Sequence, residues 1–188
     1  PFLAVGVAGL LHAREAALPR HFIVYCAGVA LGALGSAWYH VAPSNPALVF
    51  DRLPMTIAFM AMFAAVVADR VSLPFGQALL WPCVAVGIGS IGWWHWTETA
   101  GAGDLLPYAF VQFLPMLLIP LMLLLFRGER LAARWLWASL GAYVLAKVAE
   151  HYDGAIYALG GWVSGHSLKH LLAALASWWI VRAFLTTK

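Results

Sequence analysis

Residues 105–126 read LLPYAFVQFLPMLLIPLMLLLF, an apolar run that exceeds the roughly 20 residues a helix needs to cross a bilayer. Apolar windows of similar length cover roughly residues 21–41, 51–69, 74–95, 134–152 and 165–185, and a shorter one covers 1–11. At about 1.5 Å per residue the short window rises only about 16 Å, half a span or the end of a longer one. Counted as a helix, it brings the sequence to an all-α polytopic membrane protein with about seven transmembrane helices in one bundle. Only short turn-like segments such as Pro43-Ser44-Asn45-Pro46 and Gly101-Ala102-Gly103-Asp104 separate the windows, so residues 1–188 read as a single domain.

Composition points the same way. The chain is 63% hydrophobic and 10% charged, against about 25% charged in soluble domains. Its mean hydropathy is +0.83, and 10 tryptophans suit the two membrane interfaces. A net charge of +3 spread over short loops leaves no basic run able to track a phosphate backbone, which excludes nucleic acid as a partner. Cys26 and Cys83 lie in apolar stretches and give neither a disulfide framework nor a thiolate metal cluster. No cleavable signal peptide is visible.

Arg14 and Arg20 fall in the first loop, Arg70 in the third, Arg127, Arg130 and Arg134 in the fifth, and Arg182 and Lys188 at the C-terminus. The positive-inside rule then puts these segments in the cytosol and the N-terminus outside. In that topology Ser36 and His40 end the second window, Asp51 opens the third, and His166 and His170 open the seventh. All five meet the extracytoplasmic face.

Residues four apart share a helix face, so Ser36 pairs with His40 and His166 with His170. Ionisable groups inside a membrane are costly and call for a purpose, and one metal ion satisfies several at once. Three imidazoles and a water make an open catalytic zinc sphere, with His40, His166 and His170 as the ligands. Asp51 then takes the water's proton, and Ser36 donates a hydrogen bond to the developing oxyanion. The competing readings are interfacial polar residues that bind headgroups or cap helices, a metal kept as a staple in a receptor or sensor, a b-type haem, and a serine nucleophile. Two histidines on one helical face do not sandwich a single haem iron.

The run Gly35-Ser36-Ala37-Trp38-Tyr39-His40, then Asp51, then Ser164-Gly165-His166-Ser167-Leu168-Lys169-His170 resembles the alkaline ceramidase family of the CREST superfamily of membrane hydrolases. The gaps are Ser36-x3-His40-x10-Asp51 and His166-x3-His170, and in helix count and motif placement the resemblance extends over nearly the whole chain. It implies a zinc-dependent, ceramidase-like amidohydrolase of lipid metabolism. Zinc would sit on His40, His166 and His170, Asp51 would act on the metal-bound water, and Ser36 would assist at the carbonyl. The implied partner is a membrane lipid substrate, ceramide, sphingolipid-like or another acyl amide. Short loops look like the bacterial branch, which implies a bacterial inner membrane. The superfamily also holds progestin and adipoQ receptors, so a receptor with a structural zinc site is the alternative. Eukaryotic alkaline ceramidases carry an acidic N-terminal segment that binds calcium; this sequence contains no match to it and does not itself support a calcium site.

Other polar residues have simpler readings. Trp93, Trp94 and Trp96 suit an interfacial belt, with His95 and Glu98 beside them as candidate headgroup contacts. Lys147 and Glu150 are spaced for a local ion pair, and His151 is the reserve metal ligand. Gly28, Gly32 and Ser36 repeat every four residues, a spacing for close helix packing. Pro107, Pro115 and Pro120 should kink or loosen the fifth helix and open a lateral path for a lipid tail.

Overall fold

Serines and prolines decide where half of the helices begin. Ser44, Ser72 and Ser164 each accept a hydrogen bond from the backbone three residues on, and prolines occupy the first turns of three helices. The computed structural model describes residues 1–16 and 18–186, and Lys188 lies outside the described residues. Among them the chain forms α1 (Phe2–Ala16), α2 (Arg20–Val41), α3 (Asn45–Arg70), α4 (Leu73–Thr99), α5 (Leu106–Leu125), α6 (Ala133–His151), α7 (Asp153–Gly160) and α8 (Gly165–Leu185), with no strand.

Five of these helices, α2, α3, α4, α5 and α8, are long and apolar enough to cross a membrane, which makes this a multi-pass membrane protein. The other two expected spans fall short for different reasons. α1 has 15 residues, and α6 packs Arg134, Lys147 and Glu150 into 19. The short α7, absent from the window reading, fills the connection between α6 and α8 and ends on Gly161 in the left-handed conformation (φ 70°).

The helices fall into two compact units, one over Phe2–Glu129 and one beginning at Arg130. In the first, α3 packs against α2, α4 and α5, and α1 packs against α2. The buried face of α3 is built largely from alanine, with Ala58, Ala61, Ala64, Ala65 and Ala68 beside Met60, Met62, Val66 and Val67. Lipid tails are as apolar as leucine, so helices in a bilayer gain by close contact, and small residues supply it. Gly28 lies on the α3 backbone, where an added Cβ would stand 2.9 Å from both Pro54 O and Ala58 N. The four-residue repeat does not set this seam: at Gly32 the nearest atom is 3.8 Å away, whereas Gly35 meets the Phe50 carbonyl so tightly that no side chain fits. The contact spacing is therefore seven residues, two helical turns, from Gly28 to Gly35.

Several buried polar groups in this unit find partners within it. His21 is buried in α2 and donates from Nε2 to the Gly76 carbonyl at 3.0 Å. The Thr56 and Ser90 hydroxyls return to the carbonyls of Leu53 and Gly87. Arg70, read from sequence as a loop charge, is the last residue of α3; its Nε lies 2.9 Å from Asp69 Oδ2, with both side chains almost wholly buried. Asp69 Oδ1 accepts from the Glu129 amide at 3.1 Å, and Arg70 donates to the Phe126 carbonyl at 3.5 Å. This pair clamps the segment after α5 onto the end of α3.

In the second unit α6 packs along α8, and α7 lies against both. Ala132 N donates to Ala183 O at 3.2 Å at one end. At the other, Glu150 receives Lys147 at 2.9 Å and Lys169 at 2.8 Å, so the expected α6 pair extends into a bridge to α8.

Removing one partner of a buried ion pair leaves the other uncompensated. Asp69→Ala is expected to lower stability by about 3–5 kcal/mol, measured by SDS-induced unfolding of the detergent-solubilised protein. Asp69→Asn should cost less, because it keeps an acceptor for the Glu129 amide.

Candidate metal centre

His166 and His170 stand one turn apart in the first two turns of α8, both half-buried. Their Nε2 atoms lie 3.0 Å apart, with ring centroids at 4.7 Å and planes at 73°. Four contacts hold this end of the helix. Ser164 Oγ accepts from the Ser167 amide at 3.1 Å, and Asp153 Oδ1 accepts from the His166 amide at 2.7 Å. Gly165 packs so closely against the Ala149 carbonyl of α6 that a side chain would collide with it. Lys169, between the two histidines in sequence, reaches Glu150 and fixes the rotation of α8. The two imidazoles therefore sit on a helix end capped by Ser164 and tied to α6 and α7.

That geometry fits a metal. Two Zn–N bonds of 2.0–2.1 Å at a tetrahedral angle set their nitrogens about 3.3 Å apart. The observed 3.0 Å requires a shift of only a few tenths of an ångström.

Ser36, His40 and Asp51 belong to the first unit. Ser36 is half-buried and His40 exposed in the last two turns of α2, and Asp51 is half-buried near the start of α3. Only Ala42, Pro43 and Ser44 separate these helices. The Gly35 contact then sets the register: the place a Cβ would take at Gly35 lies against the Phe50 carbonyl and 3.1 Å from the Asp51 amide. Residue 36 on one helix and residue 51 on the other thus flank a single backbone contact. The His40 ring tilts against Tyr39 with centroids 5.7 Å apart.

The remaining polar residues sort differently. Glu98 accepts from Asn45 Nδ2 at 2.7 Å and ties the end of α4 to the start of α3. Trp93 donates its indole N–H to Asp104 Oδ2 at 2.9 Å, a loop anchor within the expected aromatic belt. His151 is exposed, edge-on to Tyr152 at 4.8 Å. Cys26 and Cys83 are both free. Sequence reasoning passed over Asp153, Gly165 and Gly35 as positioning residues. Ser164, three residues before Ser167 and just ahead of an apolar helix, was a legible capping signal; the reach from Asp153 across 13 residues to the His166 amide had none.

No family model matches this chain, and no curated protein or solved structure matches it either.

Two expectations follow. Asp153→Ala removes a cap from the helix that carries both histidines and should cost about 1 kcal/mol, whereas Asp153→Asn retains most of it, as thermal melting would show. The Asp104 carboxyl is held below its ordinary value of 3.8 by the Leu106 amide and then by the Trp93 indole. A depressed carboxyl stabilises fully above the unfolded value and loses that effect as pH falls through the folded one. Acid titration should therefore leave Trp93 emission flat from neutrality to about pH 4 and change it only below, and Asp104→Asn should remove the transition.

Proposed function

We propose that this chain is a zinc-dependent intramembrane hydrolase of a lipid amide, ceramide or a ceramide-like molecule. In this reading His40, His166 and His170 hold the metal, each offering one ring nitrogen. The observation that carries it is the His166–His170 pair, whose converging Nε2 atoms at 3.0 Å suit two ligands of one tetrahedral ion. Without a metal, two neutral imidazoles at that distance share one proton between two lone pairs; a divalent cation takes both lone pairs.

Zinc held there supplies a Lewis acid that polarises the amide carbonyl and brings a water's pKa to about 7. Asp51 accepts the proton of the attacking water and returns it to the departing amine, so that the products are a fatty acid and a free amine. The Ser36 hydroxyl donates a hydrogen bond to the carbonyl oxygen as negative charge builds on it. Substrate enters from the bilayer. We place the protein in a bacterial inner membrane with the N-terminus outside and the site near the extracytoplasmic face. The exposed arginines Arg14, Arg20, Arg127, Arg130 and Arg134 support that orientation.

The alternative, a receptor or sensor that keeps zinc as a staple, needs the three histidines but not Asp51. Purified wild-type protein is expected to carry one zinc per chain by plasma mass spectrometry and to release fatty acid from a short-chain ceramide. His170→Ala should lose both properties. Asp51→Asn should retain zinc while turnover falls by on the order of 10²–10⁴. Metal-free protein whose turnover survives chelation sinks the proposal, and full retention of signal in Asp51→Asn favours the staple.

A further inference from the structure

Arg52 follows Asp51 on α3 and has no part in the chemistry above. Its guanidinium lies 4.6 Å from the ring centre of Trp94 on α4 and 5.2 Å from that of Tyr108 on α5. Its Nη1 is buried without a hydrogen-bond partner, and Arg52 takes part in none of the ion pairs among the described residues. His95, next to Trp94, likewise has Nδ1 buried and unpartnered. Ring faces attract a cation, but they do not replace the oxygen acceptors its N–H donors require. A charge held this way, at the end of a membrane helix, has a place for an anion.

The same three helices also enclose an apolar cavity of about 430 Å³. Met60, Cys83, Val86, Phe110 and Val111 are among its walls, and no charged side chain lines it. Met60 is eight residues, a rise of about 12 Å, beyond Arg52 on α3. Val86 stands as far before Trp94 on α4, and Pro107, a further wall residue, precedes Tyr108. The cavity lies within the roughly 300–1,000 Å³ of small-molecule sites. Its lining favours an occupant that makes no hydrogen bonds, because a polar group there would go unsatisfied.

We propose that α3, α4 and α5 form a binding site for an anionic amphiphile of the bilayer, with its alkyl chain in the cavity and its phosphate or carboxylate headgroup on Arg52. The headgroup gives the guanidinium its missing acceptors, and the chain fills space that water does not stabilise. The site requires neither zinc nor hydrolysis, so it stands or falls apart from the activity proposed above.

Native mass spectrometry of the full chain in a non-ionic detergent tests it, with lysophosphatidylglycerol, lysophosphatidylcholine of the same chain length and inorganic phosphate as probes. The expected result is a one-to-one adduct with lysophosphatidylglycerol, about tenfold tighter than with lysophosphatidylcholine, the scale of a charge-assisted contact. Arg52→Gln should erase the preference while keeping chain binding, and Val86→Trp, which fills the cavity, should weaken both lipids. Equal affinity of the wild type for the two lipids overturns the proposal, and this comparison needs no variant to fold. Preference unchanged in Arg52→Gln, or inorganic phosphate bound as tightly as the anionic lipid, overturns it as well.

Discussion

The missing hydrogen on Pro54 shapes the first unit. In a regular helix the amide of residue 54 would donate to the carbonyl of residue 50, and proline cannot do so. Phe50 O is thereby released from the ladder, and it is the atom against which Gly35 packs. An alpha carbon carrying no side chain can approach a carbonyl this closely and gain a weak C–H···O contact. Any larger residue at 35 would force α2 and α3 apart next to Ser36 and Asp51, the sequence neighbours of the two residues in contact. Proline on one helix and glycine on its neighbour thus act as one device, and the alanine face of α3 continues the close approach toward Arg70.

The second unit reaches a comparable end by other means. Gly165 again lies on a neighbouring helix's carbonyl, that of Ala149, but here charge does part of the positioning. Glu150 holds Lys147 within α6 and Lys169 from α8. A partly exposed bridge of this kind contributes little to stability by itself. Its consequence is rotational: Lys169 cannot reach Glu150 unless α8 presents it to α6, and that rotation fixes the direction of the two histidines on either side of it. Asp153 adds an anion at the positive end of the α8 dipole, where its carboxylate satisfies an amide the helix leaves open.

Much of this was legible in the sequence because the bilayer imposes a simple length rule. The windows at 105–126 and 165–185 match α5 and α8 within a residue. Larger errors came where capping rather than apolarity ends a helix. α3 starts at Asn45, six residues before its apolar window, because Ser44 caps it and Pro46 fits its first turn. α4 runs on to Thr99 through a polar segment that the window method discards. The His166–His170 pair was readable from four-residue spacing, since both residues lie on one helix. Asp153, Gly165 and Glu98 were not, because their partners sit on other elements and no local periodicity encodes a contact between helices.

The arginines show the same limit on the question of sidedness. Counting basic residues treats each as a free charge at a membrane surface. Arg70 is neutralised by Asp69 in a buried pair, and Arg52 is stacked between aromatic rings. Neither behaves as a loop charge. The connection between α3 and α4, Val71 and Ser72, then carries no basic residue of its own. Its side of the membrane follows instead from continuity: two spans joined by two residues must reverse direction, so the exposed arginines flanking the N-terminal end of α2 and the C-terminal end of α5 determine where it lies. A charge-based topology for this chain therefore rests on fewer residues than the sequence count suggests.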